Sequence, residues 1–265
     1  LVGRVICGQG VTIVAAEDKR INQDILIPYH LDLGAKPGQV VMVELTEQPS
    51  SGAHPMGKVV QILGNYADSG MEIEIALRKH KLPHQFTPAA INQAEKIPKL
   101  VQESDYKGRV DLRELALITI DGETARDFDD AVYAEKSGKG YRLVVAIADV
   151  SHYVKLKTAL DTDARERTTS VYFPRRVIPM LPENLSNELC SLRPNVDRLC
   201  MVCDMQVTAA GHVSGYKFYA AVMNSKARLT YTEVAAQLPD LLKAKPKVGT
   251  IDASLKTLHQ LYEAF

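Results

Sequence analysis

The sequence lacks the features that mark several special classes of protein. Basic and acidic residues balance at 32 each, so the net charge gives no sign of nucleic-acid binding. A local basic groove is nevertheless compatible with a neutral total. No apolar run reaches the roughly 18 residues of a membrane span, so we expect no membrane association. There is no signal peptide, and the start at Leu1 rather than Met predicts a piece of a longer protein.

Cysteine is also scarce. Four cysteines in 265 residues indicate a reducing compartment, and we expect a cytoplasmic protein. Cys200 and Cys203 form a single C-x-x-C, whereas a structural zinc site would need two further ligands at suitable spacing. The pair lies in the apolar run 199–207, which predicts a strand with these two side chains on opposite faces. We therefore interpret both as buried, inert cysteines.

Short strands are predicted throughout residues 1–65. Turn signals at residues 8–10, 36–38 and 48–52 separate them. Five short strands in a segment of this size are typical of an OB-type or cold-shock barrel, although a generic small barrel without a ligand fits the pattern equally well. The candidate strands are Leu1–Cys7, Val11–Ala15, Asp24–Ile27, Gln39–Glu44 and Lys58–Leu63.

The composition changes after residue 80. Residues 81–107 are interpreted as a connector with a helix beginning at Pro88, because proline suits the first helical position. From residue 108 onward both kinds of element are predicted, and the last helix reaches the C-terminus, which indicates an incomplete domain. The predicted strands are Leu115–Ile120, Ala131–Ala134, Arg142–Ala148, Val171–Phe173, Leu199–Val207 and Gly215–Val222. The predicted helices are Lys157–Arg167, Tyr231–Leu238 and Ala253–Ala264.

Four aspartates fall within ten residues between two predicted strands: Asp121, Asp127, Asp129 and Asp130. Asp127 and Asp129 can face the same way in an extended segment, and a loop can bring Asp121 back to meet them. Clustered carboxylates repel unless some are protonated or a cation lies between them. Mg²⁺ prefers hard oxygen ligands, and two ions about 3.5–4 Å apart could hold the attacking and leaving oxygens of a phosphodiester. An acidic surface loop is the alternative.

Competing motifs do not fit the spacing. Counted from Asp127, a calcium-binding EF-hand loop needs glycine and glutamate where this sequence has Val132 and Gly138. No phosphate-binding G-x-x-x-x-G-K-[ST] loop is present, and no Ser/His/Asp or Cys/His set stands out. Metal binding is therefore the interpretation that the spacing favours.

The same segment resembles a known family. The spacing Asp121-x₅-Asp127-x-Asp129-Asp130 is similar to the catalytic signature of the ribonuclease II/ribonuclease R family. The resemblance covers nearly the whole chain and implies a β-rich α+β fold. An OB-type cold-shock β-barrel would occupy residues 1–80, and residues 108–265 would form the N-terminal part of an α+β catalytic domain. The further matching segments are 146–151, 169–174, 178–182, 185–192, 215–219 and 227–231, the last two similar to the ribonuclease R branch.

The resemblance implies a processive, magnesium-dependent 3′→5′ exoribonuclease that hydrolyses single-stranded RNA to nucleoside monophosphates. Asp121 and Asp130 would be the main ligands of one or two Mg²⁺ ions. Asp127 and Asp129 would complete the metal shell and act in catalysis, with water as the nucleophile. We expect no small-molecule cofactor and a monomeric full-length protein. The family's later catalytic residues and its other RNA-binding domains lie outside these 265 residues, so the isolated chain should be a poor or inactive nuclease.

Three further residues are candidates for RNA binding. By the resemblance, Tyr172 would stack on a base near the RNA 3′ end, and such stacking tolerates any base. A core tyrosine on a strand is the alternative. Arg175 and Arg176 could contact phosphates or could be ordinary surface arginines. The competing function is a noncatalytic RNA-binding module that uses the barrel, and a scaffold protein is a weaker third hypothesis.

Overall fold

The computed structural model describes residues 1–7, 11–50 and 53–265, which form two compact units. The first unit comprises residues 1–85 and 172–178, and the second comprises the remainder. Within the described ranges, no helix combines the length and the apolar character needed to cross a membrane. The turn predicted at residues 8–10 and the end of the turn predicted at 48–52 lie outside the described residues.

A closed five-stranded barrel forms most of the first unit, in the strand order β1-β2-β3-β5-β4. Its strands alternate inward and outward side chains, and the inward valines and isoleucines fill the centre. Gly3 allows β1 to lie close to β2, because a Cβ there would be 2.6 Å from the carbonyl oxygen of Ala15. The predicted OB-type barrel is confirmed. The strands are β1 (Val2–Cys7), β2 (Thr12–Ala16), β3 (Ile25–Ile27), β4 (Gln39–Glu47) and β5 (Met56–Asn65).

Helix α1 (Met71–Lys79) packs against the barrel. It begins after Gly70, whose φ of 86° lies in the left-handed region that glycine adopts most easily. Met71 joins Val2 and Val40 in a small buried cluster. The sequence predicted only a short element of unspecified type here, and the structure identifies it as a helix.

The strands of the remaining chain form two sheets. β10 (Val171–Phe173) and β11 (Arg176–Ile178) pair as a hairpin. Residues 172–178 of this hairpin belong to the first unit. The other seven strands form a mixed sheet in the order β14-β7-β8-β9-β12-β13-β6, in which only the two outer pairs are parallel. In chain order these strands are β6 (Val110–Asp111), β7 (Ile118–Asp121), β8 (Asp130–Ser137), β9 (Gly140–Ala148), β10 (Val171–Phe173), β11 (Arg176–Ile178), β12 (Asp197–Val207), β13 (Val213–Asn224) and β14 (Ala227–Thr230).

Helices cover both faces of the mixed sheet. Ala90 and Ala94 of α2 are buried in the core cluster on one face, so part of the expected connector packs within the second unit. Thr87 caps α2 and also donates to Asp163 on α4. On the opposite face, Leu261 of α6 packs against Ala134. The helices are α2 (Pro88–Glu95), α3 (Val150–Tyr153), α4 (Ala159–Arg167), α5 (Tyr231–Lys243) and α6 (Ile251–Ala264).

The cysteine interpretation needs one correction. Cys200 is fully buried on β12, but Cys203 is only partly buried because it lies on the other face of the strand. Burial raises the pKa of the Cys200 thiol to about 12, which keeps it protonated at neutral pH. The expectation of two buried cysteines therefore holds for Cys200 alone.

Candidate metal centre and RNA contacts

The four aspartates lie at one end of the mixed sheet. Asp121 is the last residue of β7, and Asp130 is the first residue of β8. Asp127 and Asp129 lie on the loop between these strands, which we call the aspartate loop (residues 122–129). Asp121 and Asp127 are partly buried, whereas Asp129 and Asp130 are exposed. Because β7 and β8 are neighbours, the fold keeps all four carboxylates in one region.

The carboxylates are close enough to affect one another. Burial raises the pKa of Asp121, and the negative charges of Asp130 and Asp129 raise it further. The pKa of Asp129 is raised first by partial desolvation and then by Asp130, with a smaller contribution from Asp127. The positive charge of Arg228 lowers the pKa of Asp121 and offsets part of this repulsion. Mutual repulsion of this kind is what a bound cation would relieve.

The donor set fits a hard divalent cation. The Oδ2 atom of Asp121 is buried and has no hydrogen-bond partner among the residues that the structure describes. A buried carboxylate oxygen without a donor is costly, and a cation would satisfy it. Carboxylate oxygens suit Mg²⁺ or Mn²⁺ better than softer metals. In the described ranges, however, the structure does not bring any three acidic, histidine or cysteine side chains close enough together to hold a metal ion.

The second half of the aspartate loop is held by a distant segment of the chain. The Ser191 hydroxyl accepts a hydrogen bond from the backbone N–H of Phe128 and donates one to the carbonyl of Arg126, both at 3.0 Å. The backbone N–H of Leu192 donates to the carbonyl of Phe128 at 2.6 Å. The carbonyl of Asp129 accepts from the N–H of Ala148 at the end of β9, at 2.9 Å. These bonds fix the backbone between Asp127 and Asp130.

The first half of the loop is held by Arg228 on β14, a residue to which sequence reasoning assigned no role. Its guanidinium donates to the carbonyls of Gly122 and Glu123 at 2.7 and 3.1 Å, and it lies over the Phe128 ring at 5.4 Å. Thr232 donates to the carboxylate of Glu123. The only available signal was that residues 227–231 match the family, because the parallel pairing of β14 with β7 is not visible in the sequence.

The predicted RNA contacts lie in the first unit, and the aspartates lie in the second. Tyr172 on the hairpin is 63% exposed, which excludes the alternative of a core tyrosine. Arg175 is exposed as well. Arg176 forms an ion pair with Glu74 on α1, and Glu74 also pairs with Arg78. The ion pair links Arg176 on the hairpin to α1. The predicted contact of Arg176 with a phosphate would therefore be made while its guanidinium is also paired with Glu74.

Family models match both parts of the chain. The model of the RNB domain matches residues 109–265, and that of a cold shock domain matches residues 13–87. The chain therefore belongs to the RNB domain family. Within that family its relatives include ribonuclease R of Escherichia coli (strain K12), to which it is 52% identical over 264 residues. That match covers 99% of this chain and 32% of the relative, so the chain spans about a third of that protein's length. The resemblance seen in the sequence is confirmed.

Solved structures share the same fold. "Mycoplasma genitalium RNase R in complex with double-stranded RNA" matches with a TM-score of 0.91 and 28% identity, over 99% of this chain and 46% of that one. Yeast Ssd1, described as a pseudonuclease, matches with a TM-score of 0.72 and 18% identity, over 99% of this chain and 33% of that one. The likeness to Ssd1 concerns the fold alone. The fold is therefore shared with a protein described as a pseudonuclease, so function has to be argued from the site.

Proposed function

We propose that this chain is part of a magnesium-dependent exoribonuclease that degrades single-stranded RNA processively from the 3′ end to nucleoside monophosphates. The observation that carries the proposal is the set of four carboxylates around the aspartate loop. Two of them have raised pKa values, and one has a buried oxygen without a partner. The similarity to proteins named ribonuclease R supports an exoribonuclease in general. The metal, the direction and the processivity are our inference.

The positions of the aspartates support the roles that we propose for them. Asp121 and Asp130, at the ends of neighbouring strands, would be the main ligands of one or two Mg²⁺ ions, and Asp127 and Asp129 on the loop would complete the set. A bound divalent ion would lower the pKa of the attacking water and neutralise charge on the phosphate. Asp129, exposed at the loop's end, would orient that water. No side chain is required as a covalent nucleophile.

The first unit supplies surfaces suited to single-stranded RNA. Tyr172 would stack on a base near the 3′ end, with Arg175 and Arg176 close to the backbone phosphates. The barrel carries two exposed aromatic side chains, Tyr29 at 85% and Tyr66 at 48%. Arg4 lies 4.9 Å from the centroid of the Tyr66 ring. Exposed rings, one of them beside a cationic group, favour an RNA-binding barrel over a barrel without a ligand.

The organisation of the chain is part of the same proposal. We infer a cold-shock domain over residues 1–80, a connector over 81–107 and the N-terminal part of the catalytic domain over 108–265. The ranges of the two family models support this division. We also propose a cytoplasmic protein, monomeric at full length, without a small-molecule cofactor. The 265-residue chain alone should be a poor nuclease, since it spans about a third of the length of its E. coli relative.

A noncatalytic RNA-binding module is the second candidate, favoured by the exposed aromatic side chains of the barrel, on which RNA bases could stack without hydrolysis. The test uses the full-length protein and single-stranded RNA labelled at either end, with Mg²⁺ or with EDTA. We expect mononucleotides to be released from the 3′ label first, and only with Mg²⁺. Tight RNA binding without cleavage in either condition would establish the binding module. Cleavage that begins at the 5′ label would contradict the proposed direction.

A further inference from the structure

Ser191 has a relationship to Asp127 that the proposed function leaves unused. Its hydroxyl accepts from the N–H of Phe128 and donates to the carbonyl of Arg126, each at 3.0 Å. These two backbone groups belong to the residues on either side of Asp127. The Ser191 hydroxyl thus bridges the backbone groups on the two sides of Asp127. It uses both its hydrogen, as donor, and one of its acceptor positions.

The serine is itself held firmly. It is fully buried, so water does not compete for its two hydrogen bonds. Its carbonyl accepts from Nε of Arg198, a buried arginine, at 2.9 Å. It follows a single π-helical turn, Leu185–Leu189, which is closed by a bond from the N–H of Cys190 to the carbonyl of Leu185. Such wide turns are rare and occur frequently at functional sites.

We propose that Ser191 is a positioning residue for the metal centre: by fixing the backbone around Asp127, it sets the direction of the Asp127 and Asp129 carboxylates. The inference rests on the proposed function, because it assumes that these carboxylates hold a divalent ion. Mg²⁺ and Mn²⁺ require near-octahedral ligand geometry, so a small rotation of the loop backbone misaligns a ligand. Outer partners of metal ligands typically contribute about 10–100-fold to metal affinity.

The experiment is an equilibrium titration of the full-length protein with Mn²⁺ alone, followed by the electron paramagnetic resonance signal of the unbound ion. We expect Ser191→Ala to weaken Mn²⁺ binding at least about 10-fold, the lower end of the range for outer partners. Hydrogen exchange should report the cause directly, because the Phe128 amide loses its acceptor and should exchange faster. Thermal unfolding of each variant is measured alongside.

Ser254→Ala is the matched control. Ser254 is also a buried serine, and it accepts from the N–H of Ala134 at 3.0 Å, away from the aspartate loop. It should lower the midpoint of unfolding about as much as Ser191→Ala but leave Mn²⁺ affinity unchanged. If Ser191→Ala does not fold, Ser191→Cys keeps the volume and a weak donor, and it should fold with reduced affinity.

The outcomes separate the two claims. If the full-length parent binds Mn²⁺, Asp129→Asn loses it, and the folded Ser191 variant binds like the parent, the positioning role is wrong and the metal centre stands. If the parent binds no Mn²⁺, or Asp129→Asn binds it equally well, the metal centre itself is refuted, and the role of Ser191 with it. Weakened binding confined to the Ser191 and Asp129 variants supports both claims.

Discussion

Arg228 on β14 donates a 2.7 Å hydrogen bond to the backbone carbonyl of Gly122, the residue that follows Asp121. The same guanidinium reaches the carbonyl of Glu123 and lies over the Phe128 ring. Its charge also lowers the pKa of Asp121 against the effect of burial. Arg228 therefore has two separate roles, one in holding the aspartate loop and one in offsetting the repulsion of its carboxylates.

Two substitutions of Arg228 distinguish the contribution of its charge from that of its hydrogen bonds to the aspartate loop. Arg228→Gln removes the charge and the forked donor, and we expect a loss of about 1.5–3 kcal/mol in the free energy of unfolding, the range for hydrogen bonds to charged groups. Arg228→Lys keeps the charge but cannot reach both carbonyls, so it should lose less. Denaturant unfolding of the metal-free chain measures both. Arg165→Gln on α4, whose side chain is 70% exposed, is the control. Equal losses in Arg228→Gln and Arg165→Gln would contradict this role.

The raised pKa of Asp121 predicts a specific dependence of stability on pH. A carboxyl group whose pKa is higher in the folded than in the unfolded chain binds more protons when folded. Stability should therefore fall as the pH rises from the unfolded value of 3.8 through the raised folded value, and it should stay low above that. A bound metal ion would compensate this loss of stability, so we expect this pH dependence in the metal-free chain.

Asp121→Asn tests this directly. Without metal at neutral pH, the variant should unfold at a higher temperature than the parent, because it removes one of the carboxylates that repel one another. The advantage should shrink as the pH approaches 3.8, where the parent carboxyl is protonated as well. Mg²⁺ should stabilise the parent but not the variant. The control is Asp240→Asn, at a side chain 94% exposed. An unfolding temperature at or below that of the parent at neutral pH would be inconsistent with repulsion at Asp121.

The candidate site was predictable where its signal is local. Asp121 and Asp130 lie within ten residues, and apolar runs on either side place both at strand ends. The residues that hold the loop are distant: Arg228 lies 106 positions from Gly122, and Ser191 lies 63 positions from Phe128. Neither contact leaves a periodic pattern, because each depends on which strands and turns become neighbours.

The fold, like the site, was predictable where the sequence signal is local and not where it depends on distant contacts. Barrel strands such as Gln39–Glu47 were predicted to within a few residues, because alternation and turn residues mark them. The predicted strand Leu115–Ile120 instead begins at Ile118. Val110–Asp111 and Ala227–Thr230 were missed, because each pairs in parallel with a strand that is distant in the sequence. That residues 172–178 join the first unit follows from tertiary contacts alone.

Asp129→Asn in the full-length protein should abolish cleavage and leave RNA binding nearly intact. The substitution keeps the shape of the side chain but removes a charge from the metal shell, and losing part of such a clamp costs several kcal/mol, or orders of magnitude in rate. Single-turnover cleavage and equilibrium binding of the same labelled RNA measure the two effects. Asp240→Asn should behave like the parent protein in both assays. Cleavage by Asp129→Asn at near the parental rate would refute the assignment of this cluster.

Tyr172→Ala should change the length of the last undegraded product without stopping hydrolysis. Tyr172 is 63% exposed on a hairpin that the Arg176–Glu74 ion pair links to α1, so a base can reach its ring from solvent. One lost base stack is worth about 1–3 kcal/mol, enough to change the length at which short products dissociate but too little to remove activity. High-resolution gels of end products from the full-length protein would show the change. Tyr262→Ala, at a tyrosine 78% exposed on α6, should leave the products unchanged. If both variants gave the parental product, Tyr172 would be an ordinary surface residue, and the RNA end would be held elsewhere.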